Sequence, residues 1–145
     1  MALPLIEAAM RYKHVGESGF LYIVVMNPAR NAANSNFEDA ILYEHAVGDR
    51  SKWDADYAAF AYAKTRISWK TGLDSHIVQT LQPHLLSAGD TTLWGSVSID
   101  GYVVGVSGAN ACYDEAFAGV VTMCLRALVK DARQHTDSTQ LFLAA

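Results

Sequence analysis

The sequence predicts an α+β fold: an antiparallel sheet of about four or five strands flanked by helices, in the order α-β-β-α-α-β-β-α. Three observations carry that prediction. Two short runs rich in β-branched and aromatic residues, "FLYIVVMN" (20–27) and "AILYEHAV" (40–47), precede a long helical stretch. A second pair, "TTLWGSVSI" and "YVVGVSG", is joined by Asp100-Gly101, the residue pair that a two-residue type I′ turn requires. Two longer segments, about 52–70 and 113–134, repeat their apolar residues at helical spacing. Hairpin-like pairs separated by helices make a layered α+β domain.

Each element has its own local reason. Leu3, Ile6 and Met10 recur at helical spacing and predict a first helix over about 4–13, broken by the "GESG" at 16–19. The run 20–27 reads as a buried strand, and "PARNAANSN" after it is loop chemistry. In the second strand, alternation places Ile41, Tyr43, His45 and Val47 on one face. Ser51 is the predicted N-cap of the helix over about 52–70, with Asp54 and Asp56 near its positive end. "HIVQTLQPHLLSAGD" reads as one or two short helices interrupted at Pro83.

The two-residue turn fixes the hairpin register, pairing Ile99 with Tyr102, Val97 with Val104 and Gly95 with Val106 on an apolar face that should meet the core. The other face carries Trp94, Ser96, Ser98, Val103, Gly105 and Ser107. Its small residues admit close approach of either a helix or a flat ligand. The last helix has the stripe Phe117, Val121, Cys124, Leu125 and Leu128. The tail 136–145 is expected to be loose, or docked on a partner through Leu141 and Phe142.

The length of 145 residues suits one domain, and 51% hydrophobic with 18% charged residues describes a globular chain. Net charge is -4 and no basic patch occurs, which excludes nucleic acid as an expected partner. No apolar run approaches the ~18 residues of a membrane span, and the opening "MALPLIEAAMRYK" lacks the features of a leader, so the expectation is a cytoplasmic protein. Cys112 and Cys124 read as members of one helix, too far apart along its axis to pair with each other.

One residue conflicts with its surroundings. Trp53, Tyr57, Phe60 and Ile67 form a stripe at helical spacing, and Lys64 lies within about 20° of its centre. Three readings are open. Lys64 is a buried amine acting as base, imine former or carboxylate clamp. Alternatively its stem packs on Tyr57 and Phe60 while the amine snorkels to water. The third is an interchain salt bridge to an acid such as Glu44. Tyr57, Tyr62, Trp53 and Trp69 read as packing residues.

The segment "DGYVVGVSGA" followed by "DEAFA" resembles the C-terminal signature of the small haem-binding family that includes HbpS, GlcG and the C-terminal domain of PduO. The matching residues are Asp100, Gly101, Val104, Gly105, Val106, Ser107, Gly108, Ala109, Asp114 and Glu115, and "AYAKTRIS" with Lys64 is similar to the family's Ala/Lys-rich central helix. "LWGS" stands where the family has a Gly-Gly-x-Pro run, and Trp94 stands where a glycine is expected. The resemblance implies a profilin-like α+β fold, a homo-oligomer and haem as a cofactor.

The candidate chemistry follows. His45 shares a strand face with Tyr43, which aims it at a cavity or at a hydrogen-bonded core position. His14, just past the first helix, is a second candidate haem ligand or a solvated helix end. Trp94 and Ser107, at the ends of the small hairpin face, join His14, His45 and Lys64 as cofactor-binding candidates. No metal motif occurs. Ser107 lies in "GVSGA", which is not a nucleophile elbow. The glycine loop before the last helix is suited to an anion, but Asp114 and Glu115 in the first turn would repel one. Two functions are expected to compete: a ligand-binding or accessory protein for haem or another flat hydrophobic molecule, and a small enzyme acting on a carboxylate-bearing metabolite through Lys64 and His45.

Overall fold

The computed structural model describes residues 1–136 and 141–142. Four antiparallel strands make one sheet: β1 (Leu21–Met26), β2 (Ile41–Val47), β3 (Ser96–Ile99) and β4 (Tyr102–Ser107), in the spatial order β2-β1-β4-β3. Four α-helices accompany them: α1 (Leu3–Ala9), α2 (Tyr57–Thr71), α3 (Ser75–Leu81) and α4 (Ala111–Gln134). This is the α+β element order that the sequence predicts. A 3-10 turn follows α3 over Pro83–Leu85, where the proline removes a helical donor.

The sheet is buried on both faces. Leu21, Ile23 and Val25 of β1 join Val97, Val104 and Val106 in a core closed by α1 and by Phe117 and Ala118 of α4. Tyr22, Val24, Met26 and Val103 point the other way, onto Ala58 and Ala61 of α2. Such two-sided burial explains why "LYIVVM" is apolar at every position rather than alternating. The hairpin register is the predicted one, with Val97 opposite Val104 and Ile99 opposite Tyr102. Its turn holds Asp100 at φ 52° and Gly101 at φ 78°, as a type I′ turn demands.

Three local expectations need correction. The central helix begins at Tyr57, not at 52. Asp56 is its N-cap, accepting from the Ala59 amide at 3.0 Å, and Ser51 belongs to a separate 3-10 turn capped by Asp49. Two nearby aspartates outcompete the serine because each accepts a turn amide with a carboxylate. The buried face of α2 is also shifted: it carries Ala58, Ala61, Lys64, Thr65, Ile67 and Ser68, while Phe60 is 42% exposed. In β2, an irregularity in the pairing opposite Val25 and Met26 turns Ile41 to the α2 face, leaving Tyr43, His45 and Val47 on the α4 face. Of the tail, Leu141 and Phe142 are exposed. Residues 137–140 and 143–145, on which the docking expectation also falls, lie outside the described residues.

The small residues of α2 let it lie close on the sheet. A Cβ added to Gly105 would sit 1.8 Å from Thr65 Oγ1 and 3.1 Å from its backbone Cα. The small hairpin face therefore receives a helix. Gly105→Ala is expected to cost about 1–3 kcal/mol by overpacking, partly restored by Thr65→Ala in the same chain. Urea unfolding checks this; a wild-type midpoint for the single variant would contradict the contact.

Candidate functional site

Lys64 leaves the middle of α2 and ends in a buried set of acceptors. Its Nζ donates to Asp114 Oδ2 at 2.7 Å, to Ser107 Oγ at 3.1 Å and to the Val106 carbonyl at 3.3 Å. Lys64 is 4% exposed and Asp114 1%. The ammonium's three protons thus have three acceptors, one of them anionic. The snorkelling reading does not hold, and the partner is a carboxylate of the same chain. Glu44 is engaged elsewhere, accepting from the Tyr22 and Tyr62 hydroxyls.

Asp114 holds the loop that leads into its own helix. While Oδ2 takes Lys64, Oδ1 accepts the Ala109 amide at 2.9 Å. Burial pushes Asp114 up to about 6, against the pull of Lys64 and of the Ala109 and Gly108 amides. Gly108, at φ 137°, passes so close to β1 that an added Cβ would meet the Phe20 carbonyl at 2.1 Å. Asn110 then ties the loop to the chain after α1. Its amide donates to the Val15 carbonyl at 2.8 Å and its side chain to the His14 carbonyl at 2.7 Å. The loop 107–110 is fastened from below by the ion pair and from the side by residues 14–15.

Above this loop is a polar cleft of about 780 Å³. One wall is Lys13, His14, Glu17 and Ser18; another is Asp54 and Tyr57, the tyrosine hydroxyl donating to Asp54 at 2.5 Å; residues 108–110 form the floor. Burial, and then the Asp54 carboxylate, hold the Tyr57 hydroxyl above its ordinary value, so it stays a donor at neutral pH. The His14 ring is exposed and lies 5.7 Å from Tyr12 and 6.1 Å from Tyr113.

The five sequence candidates do not form one site. His14 lines the cleft, and Ser107 and Lys64 sit beneath its floor. Trp94 stacks on His76 at 4.0 Å. His45 is on β2 opposite Ile23, half-buried, with Nδ1 3.3 Å from the Tyr43 hydroxyl. That is the α4 face of the sheet, whereas Lys64 arrives from the α2 face. The structure does not bring the two together: the Lys64 amine ends among Asp114, Ser107 and the Val106 carbonyl, and His45 meets the Tyr43 hydroxyl. Reasoning from sequence missed Lys13, Tyr57 and Asn110 as cleft residues and Asp114 as the lysine's partner. The acidic first turn of α4 was the available signal for Asp114.

Among the described residues no group of three or more His, Cys, Asp or Glu side chains is placed to hold a metal ion, and no helix is long and apolar enough to cross a membrane. A porphyrin needs predominantly apolar walls. The cleft has room for one and offers His14, but Lys13, Glu17, Asp54 and Asn110 would face its rings. A second, apolar groove lined by Leu42, Tyr43 and α4 residues is only about 280 Å³, below the ~300 Å³ at which ligand pockets begin. These residues do not fit haem. No family model, curated protein or solved structure matches the chain.

Removing the ammonium leaves Asp114 buried without a counter-charge. Its folded pKa is already above the 3.8 of an ordinary carboxyl, so its cost appears as pH rises through the folded value and is relieved as pH falls toward 4. Lys64→Met is expected to lose about 3–5 kcal/mol at pH 8. The deficit should shrink toward pH 5. Urea unfolding across that range decides; a deficit independent of pH would contradict the pairing.

Proposed function

We propose that this chain is a cytoplasmic ligand-binding protein that holds a small carboxylate-bearing molecule in the cleft above residues 107–110. The observation that supports this reading is the cleft itself: a roomy polar concavity with Lys13 and His14 on one wall and the Tyr57–Asp54 pair on another, over a floor fixed by a buried ion pair. A few placed polar groups on a rigid base are what orient a ligand. Asp54 beside Tyr57 adds an acceptor for a hydroxyl or amine on the same molecule. The buried amine of Lys64, with every proton engaged, supports binding over imine chemistry.

Two further features belong to this reading. Cys112 and Cys124 are both free, which suits a reducing compartment. Large apolar side chains stand open on α1 (Leu5), α3 (Leu81) and the outer side of α4 (Met123), which supports a homo-oligomer.

Calorimetric titration with acetate, lactate, succinate and citrate tests the ligand class. At least one should bind, and Lys13→Met should weaken it about tenfold. Parallel titration with haem separates the other expectation. A Soret band that disappears in His14→Ala, with no response to any carboxylate, would replace this reading with a haem-binding one.

A further inference from the structure

The two edges of the sheet are treated differently. At the β3 edge, α3 supplies side chains that take the open backbone groups. Ser75 Oγ accepts from the Gly95 and Ser96 amides at 3.1 and 3.0 Å and donates to the Ser96 carbonyl at 3.3 Å, while Asp74 accepts from the Ser98 amide at 2.9 Å. That edge is blocked against further pairing. At the β2 edge nothing comparable occurs. The Ile41 amide is taken by the Glu38 carbonyl of the turn before it, but among the described residues no backbone group of Leu42–Val47 makes a hydrogen bond outside the sheet, and Leu42 and Tyr43 are each about half exposed.

A recess lies on each side of this open edge. On the α4 face is the apolar groove of about 280 Å³, between Leu42, Tyr43, Val25 and the α4 residues Val121, Leu125 and Leu128. On the α2 face is a recess of about 400 Å³ lined by Phe37, Glu38, Ile41, Glu44, Tyr62 and Arg66. Arg66 is committed there, paired with Glu38 at 2.9 Å and lying over the Phe37 ring at 4.5 Å. Glu44 is held by the hydroxyls of Tyr22 and Tyr62 and forms no ion pair among the described residues. An oriented carboxylate beside aromatic rings is a receptor for an ammonium or guanidinium group.

We propose that the open edge of β2 takes an extended peptide segment in which apolar residues alternate with lysine or arginine. Successive side chains of an added strand point to opposite faces. One set then fills the apolar groove and the other reaches Glu44, while the main chain completes the ladder, as in other strand-addition complexes. Charge complementarity selects this occupant over the chain's own material. A two-fold pairing of β2 with β2 of a second copy centred on the middle of the strand would set Glu44 against its own counterpart. The tail "TDSTQLFLAA" contains no lysine or arginine and adds an aspartate. This partner surface is separate from the cleft, so it stands or falls independently of the carboxylate reading.

The test uses the full chain and three capped octapeptides: alternating leucine and lysine, alternating leucine and glutamate, and the leucine–lysine peptide with alternate backbone amides methylated. The leucine–lysine peptide should shift the amide resonances of residues 41–47 and bind at least about tenfold more tightly than the other two. Glu44→Gln keeps an acceptor for both tyrosines, so the fold should survive while the lysine preference is lost. Equal binding of the methylated peptide, shifts confined to other surfaces, or an unchanged Glu44→Gln affinity would each overturn the proposal. So would protection of the β2 amides that rises with protein concentration in the absence of peptide, which would give the edge to a second copy.

Discussion

The buried bond between Lys64 and Asp114 is the contact on which the site depends. It joins the middle of α2 to the first turn of α4 across the end of β4, and so couples the two helical layers that lie on opposite faces of the sheet. Removing two charges from water is costly, and an apolar pair of similar shape would often be as stable. What the charges add here is direction. Asp114 has two oxygens, and the ion pair fixes the carboxylate so that the second oxygen meets the Ala109 amide. A loop containing Gly108 and Ala109, which belongs to no strand, thereby gains a fixed acceptor for its Ala109 amide. The polar cleft rests on that loop.

The architecture around the pair follows from residue size. The face of α2 that meets the sheet is built from Ala58, Ala61, Thr65 and Ser68, and the strand beneath it contributes Gly105 and Ser107. Small residues on both sides bring helix and sheet close, and Lys64 is then long enough to pass beyond the sheet's end to Asp114. Ser96 completes the same layer by donating to the Lys64 carbonyl at 2.6 Å and meeting Ser68 Oγ at 2.7 Å. On the opposite face the packing is by large aliphatic side chains and Phe117, and no comparable polar layer is needed. The polar chemistry of the chain is concentrated where backbone approach is closest.

Most of the fold was legible in the sequence because its signals are local. Asp100-Gly101 dictates a turn whatever surrounds it, and an uninterrupted apolar run such as 21–26 has no stable place except between two layers. The start of α2 was misread because Ser51, Asp54 and Asp56 are all competent caps, and only the path of the chain after β2 decides among them. The exposure of Phe60 was hidden for a related reason. Aromatic periodicity suggested the buried stripe, but the sheet selected the small residues beside it. The site was less legible still. Lys64 stood out as an ammonium on an apolar face, yet its partner is fifty residues away in sequence, and Asp114 looked like an ordinary helix-start carboxylate. Lys13 and Tyr57 meet at the cleft only through the fold. His45 and Lys64 could be grouped as catalytic candidates only without knowing their partners, which are the Tyr43 hydroxyl for one and Asp114 for the other.

The two surfaces the structure leaves open differ in kind. The cleft over residues 107–110 is polar and rigidly based, and suits a small solute. The β2 edge offers main-chain groups between an apolar groove and an anchored carboxylate, and suits a chain. Both uses presuppose that the ion pair holds the molecule in one arrangement. Hydrogen exchange at the Ala109 amide measures that most directly, because its acceptor is Asp114 Oδ1. The account predicts protection close to that of the β4 core amides. Exchange at the rate of an exposed loop, in a chain whose β4 amides remain protected, would contradict it.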